Sequence, residues 1–141
     1  MNAIALDRHL HGLAARPASK ARDTVVVAGG GFTGIEAATE MPARLRAILG
    51  DEAAIRVVIV ERNAAIAPDM GPGPRPVIEK ALRQLGVETW LGTGVAALDG
   101  TGVTLTDGER IESATVIWAA GMRAAPLAAQ IPAEHDNFGR L

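Results

Sequence analysis

The pattern of apolar and polar positions predicts an alternation of strands and helices through the first two thirds of the chain. The first two predicted strands are nearly continuous apolar runs, as in strands buried on both faces of a parallel sheet. The predicted strands are residues 24–28 (TVVVA), 55–61 (IRVVIVE) and 87–91 (VETWL). Helical periodicity precedes and separates them. The predicted helices are residues 4–15, 33–49 and 76–85.

The pattern of predicted elements changes after the third strand. Three short strands are predicted at 95–98, 103–106 and 110–113, joined by Asp-Gly pairs that favour hairpin turns. A last apolar run covers 114–121 (ATVIWAAG). The sequence therefore predicts an α/β fold, with a Rossmann-like parallel sheet of strand order 3-2-1-4. A three-stranded antiparallel β-meander stands in place of a crossover helix.

The connections are polar or rich in proline and glycine. Residues 16–22 are interpreted as a polar linker that includes Ser19, and 70–76 (MGPGPRP) as a loop, with Pro76 in the first turn of the next helix. Within the first long helix, Pro42 removes one backbone hydrogen bond and is expected to disturb the helix.

Composition narrows the function classes. The 141 residues suffice for one domain with a core. A net charge of −2 and 3% aromatic residues disfavour a nucleic-acid binder. Cysteine is absent, which excludes disulfides, thiolate metal ligands and a cysteine nucleophile within this sequence. No apolar run is long enough to span a membrane and no signal peptide is evident, so we expect a cytoplasmic setting.

The stretch GGGFTGIE (29–36) joins the first strand to the first long helix. Gly29, Gly31 and Gly34 match the G-x-G-x-x-G pattern in the context it requires. In that pattern the first glycine permits a tight turn, the second admits a pyrophosphate and the third lets helix and strand pack closely. The helix N-terminus then presents free N–H groups to the phosphates.

An acidic residue ends the second strand. Glu61 is placed to accept hydrogen bonds from both hydroxyls of an adenosine ribose and to repel a 2′-phosphate, which favours NAD(H) over NADP(H). Arg62 argues the other way, because a neighbouring arginine can accommodate that phosphate. The sequence predicts a dinucleotide site and no catalytic acid–base pair or metal site.

Several stretches together resemble a known family. They are GGGFTGIE (29–36), VIVER (58–62), LRQLGVETWLGTGV (82–95), GVTLTDGERI (102–111) and TVIWAAGM (115–122). They are similar to the NAD-binding domain of the FAD-dependent pyridine nucleotide-disulfide oxidoreductase superfamily, in particular of type II NADH dehydrogenases (NADH:quinone oxidoreductases).

The resemblance implies a role for each matching position. The loop residues Gly29, Gly30, Gly31, Phe32, Thr33 and Gly34 would hold the pyrophosphate. Glu36 would lie near the nicotinamide half, although an acid in the first turn of a helix is also ordinary. Glu61 would lie on the adenosine ribose and Val95 against the adenine. Ala119, Ala120 and Gly121 would face the cofactor from the final strand.

The resemblance also implies partners outside this sequence. Members of the family carry an FAD domain with a second glycine fingerprint and a Gly-Asp flavin motif, neither of which occurs here. We therefore expect a linker at 1–22, an NAD(H)-binding domain at 23–122 and a return segment toward an FAD domain at 123–141. The chain alone is expected to bind NADH and turn nothing over, with the parent enzyme peripheral at the cytoplasmic membrane.

Other readings stay open at this point. A non-catalytic NAD(H)-sensing module could use the same fold, and so could a disulfide or ferredoxin reductase whose redox groups lie elsewhere. Self-association into a homo-oligomer is also left open. Of the remaining candidates, His9 and His11 are interpreted as solvated surface residues and Trp118 as a packing residue. No acid–base partner is evident for Asp69.

Overall fold

The computed structural model describes residues 3–119, which form four α-helices, seven β-strands and one 3-10 turn. The helices are α1 (Ala3–Leu13), α2 (Lys20–Asp23), α3 (Phe32–Leu49) and α4 (Arg75–Leu85), and the 3-10 turn is Pro68–Met70. The strands are β1 (Thr24–Ala28), β2 (Arg56–Glu61), β3 (Val87–Leu91), β4 (Val95–Asp99), β5 (Gly102–Leu105), β6 (Arg110–Glu112) and β7 (Thr115–Trp118). Within these residues no helix is long and apolar enough to cross a membrane.

Four of the strands form a parallel sheet in the order β3-β2-β1-β7. The strand β7 is the fourth to join this sheet, so the predicted order 3-2-1-4 is confirmed. The other three strands form an antiparallel sheet in the order β4-β5-β6, inserted between β3 and β7. The predicted meander in place of a crossover helix is confirmed as well.

The two faces of the parallel sheet are covered by different layers. Side chains alternate along a strand, so Val25 and Val27 of β1 enter a core with α1, α3 and α4, while Val26 enters a second core with the meander. All three valines are fully buried. This double burial explains why β1 and β2 are nearly continuous apolar runs in the sequence.

The helices α3 and α4 each end at a glycine. Gly50 follows α3, and its N–H donates to the carbonyl of Arg46. Gly86 follows α4 in the left-handed conformation and donates to the carbonyls of Leu82 and Arg83. The expected disturbance at Pro42 does not interrupt α3, which runs from Phe32 to Leu49 with Pro42 buried inside it.

Three expectations about exposure and local structure are wrong. Ser19 is not simply a linker residue, since its side chain accepts a hydrogen bond from the Arg22 amide and caps α2. The helical periodicity of residues 4–15 and 76–85 predicts Ile4 and Val77 on the apolar faces of their helices, yet they are 72% and 71% exposed. In both helices other residues, Leu10 in α1 and Leu82 in α4, make the buried contacts.

His9 is not a solvated surface residue either. Its Nε2 lies 2.9 Å from the hydroxyl oxygen of Thr115 at the start of β7, and the side chain is half-buried. Burial lowers the pKa of His9, with a smaller lowering from the charge of Arg16. The ring therefore ties α1 to the last strand of the sheet, whereas His11 is exposed.

Candidate functional site: a cleft beside the glycine loop

A cleft of about 440 Å³ opens at the carboxyl ends of β1, β2 and β7. This is the edge of an open α/β sheet where ligands commonly bind. The lining residues come from the ends of these strands and from the loops that follow β2 and β3. They are Ala28, Gly29, Gly31, Val60, Glu61, Arg62, Asn63, Pro68, Asp69, Gly94, Val95, Trp118 and Ala119. We call this space the glycine-loop cleft.

The three glycines of the motif differ in what a side chain at their position would meet. Gly29 has a φ of 117°, which side chains rarely adopt. A β-carbon on Gly34 would collide with the carbonyl oxygen of Gly29 and touch Val27. A β-carbon on Gly31 would meet no heavy atom within 4 Å. The fold therefore requires Gly29 and Gly34, while the space at Gly31 lies open to the cleft.

The N-terminus of α3 carries no side-chain cap. Its N-cap is Gly31, in an extended conformation, and the amide of Ile35 makes the first hydrogen bond of the helix, to the carbonyl of Gly31. The first N–H groups of a helix lack partners within the helix and carry part of its positive dipole. This end of α3 is suited to an anion beside Gly31.

Gly30 is fixed from two sides. Its N–H donates to Oε1 of Glu61 at 2.8 Å, and its carbonyl accepts from the amide of Ala67 at 2.8 Å. A β-carbon here would lie 2.6 Å from the Ile66 side chain and about as close to Glu61 as atoms can pack. Gly30 thus connects the glycine loop to the loop after β2, with its amide directed to Glu61.

The Glu61 carboxylate is buried and held by several donors. Its Oε2 accepts from the backbone N–H and from the side-chain Nδ2 of Asn63, both at 2.7 Å. Burial on its own would raise the pKa of Glu61, but the hydrogen bonds from Asn63 and Gly30, with the nearby amide of Arg62, outweigh it and lower the pKa. Glu61 is therefore a fixed anion at the cleft.

Arg62 and Val95 both line the cleft, with Gly94 between them in the lining. A β-carbon on Gly94 would approach Cγ and Nε of Arg62 to 3.2 Å, so the absence of a side chain lets Arg62 lie against the connection between β3 and β4. The Arg62 side chain is exposed and makes no hydrogen bond or ion pair with any of residues 3–119. A free cation thus borders the cleft near the fixed anion of Glu61.

The structure brings together part of the predicted set. Gly29, Gly31, Glu61, Arg62, Val95 and Ala119 line the cleft, and Gly30 and Gly34 support it. Phe32, Thr33 and Glu36 lie on the first turns of α3, are exposed and do not line the cleft. Ala120 and Gly121 lie outside the described residues.

Seven residues of the lining were not predicted, three on the strands (Ala28, Val60 and Trp118) and four in the loops after β2 and β3. Asn63, Pro68, Asp69 and Gly94 enter it from the loops after β2 and β3. Gly94 in GTG (92–94) could have been predicted as a lining residue, because a glycine next to a strand indicates close approach of another group. Trp118 is buried, as expected for packing, but it also lines the cleft, and its Nε1 has no partner in the described part of the chain.

Comparison with known proteins assigns the class. The family model described as "Pyridine nucleotide-disulphide oxidoreductase" matches residues 3–141. The chain belongs to this family, and the parallel sheet, glycine loop and meander agree with that assignment.

Similar proteins carry names that specify a kind of oxidoreductase within this family. The chain is 51% identical over 141 residues to the NADH dehydrogenase-like protein Rv1812c of Mycobacterium tuberculosis, an alignment that covers 99% of this chain and 35% of that protein. It is 35% identical to the type II NADH:quinone oxidoreductase NdhA of the same organism, covering 85% of this chain and 29% of that one. The chain thus spans about a third of the length of these oxidoreductases.

A solved structure has the same fold. The structure of NDH2 from Plasmodium falciparum in complex with NADH superposes with a TM-score of 0.68 at 16% identity, covering 89% of this chain and 28% of that one. At that identity the likeness establishes the fold alone.

Proposed function

We propose that this chain is the NAD(H)-binding part of a flavin-dependent NADH dehydrogenase-like oxidoreductase. The observation that carries the proposal is the meeting of an open glycine loop, an uncapped helix N-terminus and a buried carboxylate in one cleft. Family membership favours this function over a sensing module, because the relatives are named as oxidoreductases.

The pyrophosphate would lie beside Gly31. Of Gly30, Gly31 and Gly34, Gly31 alone leaves room, since the space at Gly30 is filled by Ile66 and Glu61 and that at Gly34 by Gly29. The amides at the start of α3 would donate to the phosphate oxygens, among them those of Phe32 and Thr33. Gly30 would act by positioning the loop, because its own amide already donates to Glu61.

The adenosine would lie toward Glu61, Arg62 and Val95. The lowered pKa of Glu61 keeps it charged at neutral pH, where a carboxylate accepts a ribose hydroxyl and repels a 2′-phosphate. Arg62 would offset that repulsion only in part, because its exposed cation is screened by solvent. We therefore propose that NADH binds more tightly than NADPH.

The nicotinamide would extend past Ala119 at the end of β7. Ala120 and Gly121 are proposed to face the cofactor, and Glu36 to lie near its nicotinamide half. Bound NADH would supply a hydride for transfer to a flavin, and the chain's own contribution would be orientation and affinity. We place the NAD(H)-binding domain at 23–122, between a linker at 1–22 and a return segment at 123–141 toward an FAD domain. The parent enzyme would act on the cytoplasmic side of the membrane as a peripheral protein.

Calorimetric titration of the purified chain with NADH and NADPH tests the proposal. We expect NADH to bind, NADPH to bind more weakly, and the visible spectrum to show no flavin. Absence of NADH binding would contradict the central claim, and tighter binding of NADPH would contradict the role of Glu61.

A fluorescence measurement locates the bound nucleotide. The chain has two tryptophans, of which Trp118 lines the cleft and Trp90 packs beside the meander core. In the variant Trp90→Phe the remaining emission comes from Trp118, and we expect NADH to quench it. The variant Trp118→Phe is the matched control, in which quenching should be much weaker.

A further inference from the structure

The hydrogen bonds of Glu61 limit what else it can bind. An ionised carboxylate offers about four acceptor positions. The N–H of Gly30 occupies one of them, on Oε1, and the backbone and side-chain N–H groups of Asn63 occupy two on Oε2. At most one acceptor position of Glu61 remains for a ligand. An adenosine ribose presents two hydroxyl donors, so Glu61 in this arrangement cannot accept both.

A second acceptor lies next to the first. Because Nδ2 of Asn63 donates to Glu61, the amide oxygen of Asn63 points away from that carboxylate. No hydrogen bond to this oxygen is recorded among residues 3–119, and Asn63 lines the cleft with an exposed side chain. A free acceptor is therefore held beside the remaining position of Glu61.

The backbone of Asn63 is fixed on both sides. Its N–H donates to Oε2 of Glu61, and its carbonyl accepts from the amide of Gly92 at 3.0 Å. The amide of Thr93 donates to the backbone carbonyl of Glu61 at 3.2 Å, which ties the same two segments together again. An acceptor placed by this much fixed backbone loses little entropy when a ligand binds.

We propose that Asn63 is a second ribose-binding residue, whose amide orients Glu61 and accepts the hydroxyl that Glu61 cannot. The assignment rests on the proposed function and deepens it, because it divides recognition of the adenosine diol between two side chains. Glu61 would accept one hydroxyl and Asn63 the other.

Asp69 is the competing acceptor. Its side chain lines the same cleft and is exposed. It lies on the 3-10 turn Pro68–Met70, whereas the Asn63 side chain donates a hydrogen bond to Glu61. The spacing of two adjacent ribose hydroxyls favours two acceptors that touch each other, and Asp69 serves as the matched control.

The test compares ADP with its 2′-deoxy and 3′-deoxy analogues by calorimetry, on the full 141-residue chain and its variants. For the wild type we expect each deoxy analogue to bind about tenfold more weakly than ADP, as for the loss of one hydrogen bond. The Asn63→Ala variant should bind ADP about tenfold more weakly than the wild type does. To this variant, one of the two deoxy analogues should bind as tightly as ADP. Asp69→Ala should keep both ratios.

A structural effect of Asn63 would act differently. Loss of fold would weaken all three ligands equally and leave their ratios unchanged, and thermal unfolding reports the stability of each variant. If Asn63→Ala is unstable, Asn63→Leu preserves the shape of the side chain and repeats the comparison.

The outcomes separate the two proposals. If ADP binds and both ratios persist in the Asn63 variants, or if Asp69→Ala removes one instead, the inference about Asn63 is wrong and the proposed function stands. If the wild type binds neither ADP nor NADH, the proposed function itself fails.

Discussion

Glycine turns occur in two regions of this molecule and are held in opposite ways. In the glycine loop the partners are distant in sequence. Gly29 donates to the carbonyl of Val60 at 2.8 Å, and Gly30 is bonded to Glu61 and Ala67. The loop has its shape because the end of β2 and the segment after it lie against it.

The turns of the meander are held by residues within the turn itself. Oδ1 of Asp99 accepts from the amides of Thr101 at 2.7 Å and Gly102 at 3.0 Å. In the next turn Asp107 accepts from the amide of Glu109, and Gly108 has a φ of 90° with no atom near the position of a β-carbon. These turns form from local residues, as Asp-Gly pairs commonly do.

The difference shows that glycine has two meanings in one chain. At Gly108 in the meander it supplies a backbone angle, and a substitution should affect only the turn. At Gly31 and Gly34 in the glycine loop it supplies space, and a substitution should displace a ligand or another part of the chain.

Gly34→Ala should have the largest effect. Its β-carbon would collide with the carbonyl of Gly29, which is backbone and cannot rotate away. We expect a loss of about 3 kcal/mol in the free energy of unfolding, at the upper end for overpacking, measured by urea denaturation. A loss below that of Gly108→Ala would contradict the packing argument.

Gly31→Ala should separate binding from stability. Its backbone has a φ of −79°, which alanine adopts freely, and the added methyl group meets no atom of the chain. We expect the free energy of unfolding to change by less than about 0.5 kcal/mol, as for an unstrained surface change. NADH affinity should fall by about tenfold or more, because the methyl group would occupy the space of the pyrophosphate. Unchanged affinity would show that the phosphates do not lie there.

Gly108→Ala should be a purely local change. The φ of 90° disfavours a side chain, although nothing obstructs it. We expect a loss of about 1 kcal/mol in the free energy of unfolding, with NADH binding unaltered. A change in NADH affinity would show that the meander turn communicates with the cleft.

The smallest difference should appear in the pH dependence of stability. The pKa of Glu61 is lowered in the folded state, so its contribution to stability is present above its unfolded pKa of about 4.3 and is lost as the pH falls through the folded pKa. We expect Glu61→Gln to flatten the decline in unfolding free energy below about pH 5, followed by chemical denaturation at several pH values.

Asp99 provides the comparison for that measurement. The hydrogen bond from Arg110, with those from Thr101, also lowers the pKa of Asp99, but this carboxylate is exposed. Exposed ion pairs are screened by salt. Added salt should therefore reduce the pH-dependent contribution of Asp99 and leave that of Glu61 nearly unchanged. Equal salt sensitivity would place Glu61 in contact with solvent.

The sequence predicted the strands and their order because each strand carries its own signal. Double burial gives β1 and β2 their apolar runs, and the Asp-Gly pairs mark the hairpins. The same reasoning placed Gly29, Gly31, Gly34 and Glu61 in the site, since a strand, a glycine loop and an acid in this order bring them to one edge of a sheet.

What sequence reasoning missed depends on contacts between distant segments. The hydrogen bond between His9 and Thr115 joins residues 106 positions apart, so no local pattern in the sequence indicates it. Asn63 and Asp69 lie in a loop whose path is set by the attachment of Ala67 to Gly30, and by a left-handed Ala67 that no sequence rule anticipates. Exposed Val77 was misjudged because periodicity identifies an apolar face but not how far a neighbour covers it.

The position of β1 in the sheet has a consequence for synthesis. One edge of β1 pairs with β2, but the other pairs with β7, where Val25 lies opposite Thr115. At about 5–20 residues per second, a ribosome needs roughly 5–18 seconds to make the intervening 90 residues (115 − 25). Until then β1, the most buried strand among residues 3–119, has an open edge, which invites pairing with other chains. The nascent chain therefore keeps a site for pairing with other chains until β7 has been made.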